Sequence, residues 1–444
     1  MAHIIILGNG IAGITAARNI RKLSDHQITV ISGETDHFYS RTALMYIYMG
    51  HMNYEHTKPY EDKFWKMNRI ELVRDWISAI DFQEKKLCGD KDLYSYDQLI
   101  FALGSQPNKF GWPGEDLKGV QGLYSYQDLK RMEDNTVGIK NAVVVGGGLI
   151  GVEMAEMLHS RKINVTYLVR ENHFWDIVLP EGEAKMIERH IEEQQIDLRL
   201  ACELNEIIGD ENGKVKAVKT KTGEIIETQF VGLTVGVSPN INWLKKSELN
   251  TNKGILVDQF LRTNIDGVYA IGDCAEQRNP KEGRRQIEAV WYTGRIMGET
   301  VANTICCTEM TYDPGIWFNS AKFFDIEYQT YGKVSPHQDK NEKHFYWEAE
   351  DGKHCVNISY KPDNLKVLGV NTFGIRMRHE VWEKWFKLEK TLPEVIQSLP
   401  KANFDPEFFT AFEPEIQASF NHSFPNHQVR TSKPSFFQRL LNAN

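Results

Sequence analysis

Four apolar residues in a row, Ile4-Ile5-Ile6-Leu7, leave no polar face, which predicts a strand covered on both sides in a parallel sheet. The run breaks at Gly8-Asn9-Gly10-Ile11-Ala12-Gly13 and passes into small helix formers. This G-x-G-x-x-G spacing predicts a sharp strand-to-helix turn: Gly8 makes the turn, Gly10 lets a pyrophosphate approach, and Gly13 packs helix on strand. The free amides of Ile11 and Ala12, with the helix dipole behind them, favour a phosphate there. Ile28-Thr29-Val30-Ile31 predicts the next parallel strand, and Glu34 follows it where an acid grips a ribose hydroxyl. A lone copy of this pattern also fits a plain strand-to-helix turn. The pattern recurs, however, at Ala142-Val143-Val144-Val145, with Gly146, Gly148 and Gly151 in the same spacing, Leu149 and Ile150 at the helix start, and Val165 to Val169 as the second strand. Two copies imply two dinucleotide sites, which in a redox enzyme means a flavin and a nicotinamide dinucleotide.

Other stretches fill in the order. Phe38 to Gly50 is aromatic with Arg41 embedded in it; this fits a wall for a flavin or adenine equally with a docked helix holding Arg41 in an ion pair. Pro59 to Leu72 predicts a helix and Leu72 to Leu87 short alternating strands. Tyr96 to Phe101 predicts a buried strand ending in the turn Ala102-Leu103-Gly104-Ser105. Trp112 to Leu117 is Pro/Gly-punctuated and predicts a boundary; Asp128 to Glu133 predicts a short helix. Then come a helix over Glu181 to Gln194, a strand near Leu198 to Leu200, hairpins at Asn212-Gly213 and Thr222-Gly223, and a strand from Phe230 to Gly236. Ile255 to Val257 and Gly267 to Ala275 are further strands, the second ending in Gly272-Asp273, and Val290 to Arg295 lies on the helix that follows. From Asp313 onward the segments Trp317 to Phe324, Tyr328 to Lys333, Lys343 to Trp347 and Val356 to Tyr360 predict an antiparallel sheet of an α+β domain. Val381, Trp382, Trp385, Phe386 and Leu388 form the apolar face of a helix, with Lys384, Lys387 and Lys390 outside.

Composition narrows the function classes. A chain of 444 residues exceeds one core, so two or three domains are expected. A formal net charge of −8 argues against a nucleic-acid binder. The first strand begins almost at Met1, and no apolar run approaches membrane-spanning length, so the expected location is cytoplasmic. The six cysteines (Cys88, Cys202, Cys274, Cys306, Cys307, Cys355) show no C-x-x-C spacing, which excludes the usual zinc knuckle and redox motif, and no metal site is expected. The stretch from Ile416 to Asn444 holds no Asp or Glu and ends in Phe436-Phe437-Gln438-Arg439-Leu440-Leu441; it reads as a tail docked on its own protein or as an anchor for a partner or membrane surface.

Taken together these residues resemble the pyridine nucleotide-disulfide oxidoreductase superfamily, nearest to NAD(P)H-dependent rubredoxin and ferredoxin reductases and the flavin module of assimilatory nitrite reductases. The resemblance implies FAD at Gly8, Gly10, Ile11, Ala12, Gly13 and Glu34. Tyr39, Arg41 and Leu44 match a Y-x-R-x-x-L segment, which assigns Arg41 to the flavin side. Ala102, Gly104, Ser105 and Pro107 match A-T-G-S-x-P with Leu103 in place of Thr; Gly272, Asp273 and Ala275 match the G-D-C/A-A motif, whose acid faces the FAD ribityl or pyrophosphate. It implies NAD(P)H at Gly146, Gly148, Leu149, Ile150, Gly151 and Gly236, with Glu153 beside the nicotinamide as the catalytic candidate; a first-turn glutamate favoured by the helix dipole is the other reading of Glu153. The acid that selects NADH is replaced by Val169, followed by Arg170 and Glu171, which leaves cofactor preference open. The implied fold class is α/β: an FAD domain at 1–112 and 244–310, an NAD(P) domain inserted at 113–243, and a C-terminal α+β interface domain at 311–444. The implied function is hydride transfer from NAD(P)H to FAD and onward transfer to a small iron-sulfur or rubredoxin-type protein, without a redox-active disulfide. A monotopic NADH:quinone reductase and a flavoprotein redox sensor or structural partner are the alternatives, and a homodimer is left open.

Overall fold

The computed structural model describes residues 1–404 and 410–432. Its architecture is α/β, with parallel sheets of two Rossmann-type domains and a C-terminal antiparallel domain. The chain divides into two compact units, one of residues 1–146, 154–166 and 204–314, the other of 147–153, 167–203 and 315–444.

In the first unit the strand His3–Leu7 sits at the centre of a five-stranded parallel sheet. Its neighbours are Gln27–Ser32 and then Ile70–Arg74 on one side, and Gln98–Phe101 and then Val268–Ala270 on the other. Ile4, Ile5, Ile6, Leu99, Ile100 and Phe101 are fully buried, the price of two covered faces and the reason these runs carry no alternation. The helices Ile11–Leu23 and Trp291–Cys306 cross so closely that a Cβ on Gly298 would lie 2.6 Å from the Ala12 carbonyl oxygen. The strand Asn141–Val145 pairs in parallel with Phe230–Leu233, which pairs in turn with Val120–Gln121. An antiparallel meander of Leu204–Gly209, Val215–Thr220 and Ile225–Glu227 carries both expected hairpins.

The second unit holds a five-stranded antiparallel sheet in the order Phe318–Phe323, Ile326–Gly332, Val367–Phe373, Cys355–Tyr360, Lys343–Glu348. Helices His379–Lys387, Leu392–Ser398 and Glu413–Ser423 build a core with it through Trp382, Trp385, Ile396 and Phe420.

Some expectations are corrected. The helix expected over Pro59 to Leu72 is confined to Asp62–Met67; Arg69 turns the chain with φ +51°, and Ile70–Arg74 joins the sheet edge. The strand expected to reach Gly236 stops at Leu233, and Gly236 adopts φ +86°. Leu388 lies beyond its helix and is exposed. A strand at Val367–Phe373 was absent from the pattern. The tail begins as a docked helix, with Ile416 and Phe420 buried and the Gln417 amide donating to the Ile396 carbonyl; the segment Phe436 to Leu441 lies outside the described residues.

Candidate functional site

The carboxyl ends of the parallel strands carry the candidate chemistry, as expected for an open α/β sheet. Gly8 has φ +114°, and a Cβ there would lie 2.1 Å from the Ala102 carbonyl oxygen; at Gly13 it would lie 2.0 Å from the Gly8 carbonyl oxygen. Both glycines are thus required by the protein's own packing. Gly10 is different: its backbone is extended at φ −70° and a Cβ would meet nothing within 4 Å. The second turn repeats this division of labour. Gly146 has φ +116° and its Cβ would sit 2.6 Å from the Thr234 carbonyl oxygen, whereas at Gly148 the nearest atom is Trp175 Nε1 at 3.8 Å. At the second glycine of each turn the space that a side chain would fill is left open.

Asn9, between the first two glycines, ties the turn to the end of the second strand. Its amide donates to the Thr35 carbonyl at 2.8 Å and its Oδ1 accepts from Ser32 Oγ at 3.0 Å. Just beyond, Arg41 opens a short 3-10 turn and clamps Glu34 with two parallel bonds, Nη2 to Oε2 at 2.6 Å and Nη1 to Oε1 at 2.9 Å. Such fork-to-carboxylate pairing holds both groups in one plane. The Tyr126 amide donates to Glu34 Oε1 at 3.0 Å, and the Tyr39 hydroxyl donates to the same oxygen. Burial pushes the Glu34 carboxyl up, but the Arg41 charge and these donors outweigh it and hold it below the ordinary carboxylate range. Burial acts against the Arg41 charge as well, and Glu34 more than restores it.

Arg41 also donates to the Tyr124 carbonyl at 2.6 Å and stacks over its ring at 4.5 Å. The Tyr124 hydroxyl then donates to Asp273 Oδ2 at 3.1 Å, and so does Ser105 Oγ at 3.1 Å. One connected network therefore runs from Glu34 through Arg41 and Tyr124 to Asp273. Burial raises the Asp273 carboxyl above its usual range, and its two hydroxyl donors offset only part of the cost. Gly104 and Gly272 both take left-handed backbone, φ +65° and +70°; a Cβ on Gly104 would press on the Tyr124 hydroxyl at 2.7 Å. Ala102 supplies the carbonyl against Gly8, while Ala275 starts the strand Ala275–Gln277 and is wholly buried. Ile11 and Ala12 form the first turn of their helix.

Leu149, Ile150, Gly151 and Glu153 lie in the opening turns of the helix Leu149–Ser160, with Glu153 half-buried. Val169 is buried, and a Cβ on Gly147 would touch its Cγ1 at 2.6 Å, so an apolar side chain packs against the second glycine turn here. Arg170 is exposed and donates from Nε to Glu171 Oε1 at 2.9 Å. The Gly236 carbonyl accepts from the Asn108 amide at 3.1 Å.

The structure thus joins Glu34 and Arg41, neighbours in the chain, to Asp273, which is distant from both. It adds Asn9, Tyr124 and Tyr126, which sequence reading missed. Arg161 is a further omission: its guanidinium lies 3.5 Å over the Tyr48 ring and donates to the Tyr48 carbonyl, anchoring the helix Leu44–Tyr48 that follows Arg41. No motif announces these residues, because each acts through partners distant in sequence.

The fold is α/β, with a glycine-rich strand-to-helix turn after each of the strands His3–Leu7 and Asn141–Val145. The chain belongs to the pyridine nucleotide-disulphide oxidoreductase family, whose description matches residues 2–295, and so to the NAD(P)H-dependent oxidoreductases. It is 29% identical over 280 residues to nitrite reductase [NAD(P)H] of Bacillus subtilis, covering 62% of this chain and 34% of that protein. It therefore spans about a third of the length of that relative. It is 31% identical to the NADH oxidase of Methanocaldococcus jannaschii, over 73% of this chain and 74% of the other. Rubredoxin-NAD(+) reductase of Pseudomonas putida is 28% identical over 69% of this chain and 80% of its own. In fold, a ferredoxin reductase from Rhodopseudomonas palustris superposes with a TM-score of 0.77 at 22% identity, covering 84% of this chain and 91% of that one.

Proposed function

We propose that the turn at Gly8–Gly13 holds FAD, that the turn at Gly146–Gly151 holds NADH or NADPH, and that reduced flavin passes electrons to a small iron-sulfur or rubredoxin-type protein. The observation that carries the reading is the open space at Gly10 and Gly148, where nothing in the protein itself calls for a glycine and a close-approaching pyrophosphate does. In this reading FAD supplies the hydride acceptor and electron carrier when bound. The chain supplies position: the Ile11 and Ala12 amides face the FAD phosphates, and Asp273, fixed by Tyr124 and Ser105, faces the chain that links flavin to pyrophosphate. Glu34, held by Arg41 and kept ionised, accepts from the ribose. Leu149, Ile150 and Gly236 flank the nicotinamide dinucleotide, Arg170 and Glu171 meet its adenosine ribose, and Glu153 stands beside the nicotinamide. The corresponding domains are 1–112 with 244–310 for FAD, 113–243 for NAD(P), and 311–444 for the partner.

The acceptor class follows from the relatives named for rubredoxin and ferredoxin reduction. A direct exit from the flavin fits the cysteines. The segment Tyr39 to Gly50 contains none, and Cys274 is buried with its thiol pushed up to about 12 by burial, far from the thiolate that a relay needs. Anaerobic titration of the purified yellow protein with NADH and NADPH tests the reading. Flavin absorbance is expected to bleach at one equivalent and to recover on addition of a rubredoxin or ferredoxin. A bound flavin that neither nucleotide bleaches overturns it.

A further inference from the structure

The third strand of the first sheet, Ile70–Arg74, ends at Asp75-Trp76, and Trp76 is 59% exposed. A large apolar ring in water calls for an explanation when the backbone beneath it is held in place. Asp75 is buried and does the holding: its Oδ1 accepts from the Trp76 amide at 2.8 Å and its Oδ2 from the Tyr94 hydroxyl at 2.7 Å. Its own amide donates to the Ser32 carbonyl at 3.2 Å, tying this turn to the end of the second strand, and the Trp76 carbonyl accepts from the Asp90 amide at 3.0 Å. The ring itself lies on Gly33, where a Cβ would fall 2.2 Å from Trp76 Cε3 and 2.9 Å from Cζ3. Gly33 immediately precedes Glu34 and has no left-handed backbone to account for it; what it provides is a bed for the indole.

The order of strands then sets the direction of a bound dinucleotide. Gly10 follows the first strand, Glu34 the second and Trp76 the third, all at the carboxyl edge of one parallel sheet. A dinucleotide with its pyrophosphate at Gly10 and its ribose at Glu34 carries its base outward, toward the end of the third strand. We propose that Trp76 forms one wall of the adenine site, stacking on the base of the FAD held at the first glycine turn; this rests on the FAD assignment above. An aromatic face pre-set on a glycine bed stacks on a purine without the cost of ordering a mobile side chain.

The test uses full-length protein loaded with FAD, diluted, and followed by the flavin fluorescence that appears on release. Trp76→Ala is expected to raise the FAD dissociation constant about tenfold, in line with the loss of one base–aromatic stack. Trp76→Phe is expected to stay close to wild type, and Trp76→Leu, which keeps bulk without a π face, to behave like Trp76→Ala. Thermal melts of all three variants are expected to match wild type once FAD is saturating. Unchanged retention in Trp76→Ala overturns the proposal, as does equal weakening in all three with a lowered melting temperature, which would make the ring structural. A wild-type protein that retains no FAD would instead overturn the assignment of the first turn, and this proposal with it.

Discussion

At Gly8 an added methyl group would strike the Ala102 carbonyl oxygen at 2.1 Å, while at Gly10 it would meet no protein atom within 4 Å. The two positions should therefore fail in different ways. Gly10 is extended, a conformation open to any residue, so Gly10→Val is expected to melt near wild type yet to purify without FAD. Flavin absorbance per chain, read beside a thermal melt, decides this; stoichiometric FAD in the variant would unseat the first turn as its site. A second residue-scale prediction concerns nicotinamide choice. Val169 removes the acid that would repel a 2′-phosphate, and Arg170 is exposed beside it, with its Nε and Nη2 both turned to Glu171 Oε1. Arg170→Ala is expected to lower kcat/KM for NADPH by about 1.5–3 kcal/mol in transition-state terms, the worth of a hydrogen bond to a charged group, and to leave NADH nearly unchanged. Equal losses for the two nucleotides would remove Arg170 from the phosphate site.

At the scale of elements, what could be read from sequence was what local pattern determines. Runs such as Ile4 to Leu7 and Ala142 to Val145 announce strands because burial on both faces leaves no room for polar residues, and glycine spacing announces the turns after them. Elements shaped by distant contacts were not legible. The strand Val367–Phe373 contains Gly369, where a Cβ would lie 2.3 Å from the Lys333 carbonyl oxygen, and Asn371, whose amide donates to Glu183 at 2.9 Å; both interrupt alternation for reasons set elsewhere in the chain. Tyr124 and Trp76 were missed in the same way, since their partners come from other loops. Glu183 also yields a prediction. It sits fully buried on the helix Glu181–Glu193, and burial pushes its carboxyl up to about 8, with Asn371 and Asn357 offsetting only part of that. The titratable groups that feel its charge, Tyr328, Tyr346 and Cys355, are not cations. As pH rises from the ordinary carboxyl range toward 8, the unfolded chain releases this proton before the native one does, so stability falls by up to about 1.4 kcal/mol per pH unit. Glu183→Gln removes the titration. Denaturation of both proteins from pH 5 to 9 is expected to show near-equal stability at the acid end and a growing advantage for the glutamine variant toward the alkaline end. Parallel curves would mean that Glu183 is not held neutral.

For the molecule as a whole the question is how electrons leave. A disulfide relay needs a cysteine pair beside the flavin, and the segment Tyr39 to Gly50 carries Arg41 and aromatics and no cysteine. All six cysteines are thiols. Cys274 is enclosed, with its sulfur 3.3 Å from the Ile271 carbonyl, and Cys355 is fully buried with its thiol raised well above the usual range. Cys306 ends the helix Trp291–Cys306 and Cys307 caps it; burial raises the Cys306 thiol too, which disfavours the thiolate that would attack or be reduced. The direct route from flavin edge to acceptor thus predicts that a variant with all six cysteines replaced by serine or alanine keeps its FAD, bleaches with NAD(P)H at the wild-type rate, and reduces both ferricyanide and a rubredoxin- or ferredoxin-type acceptor. The protein acceptor is the discriminating arm, because a small dye can take electrons from the flavin while bypassing a thiol. If flavin content and bleaching stay intact and only transfer to the protein acceptor is lost, a cysteine lies on the path and the direct route is wrong.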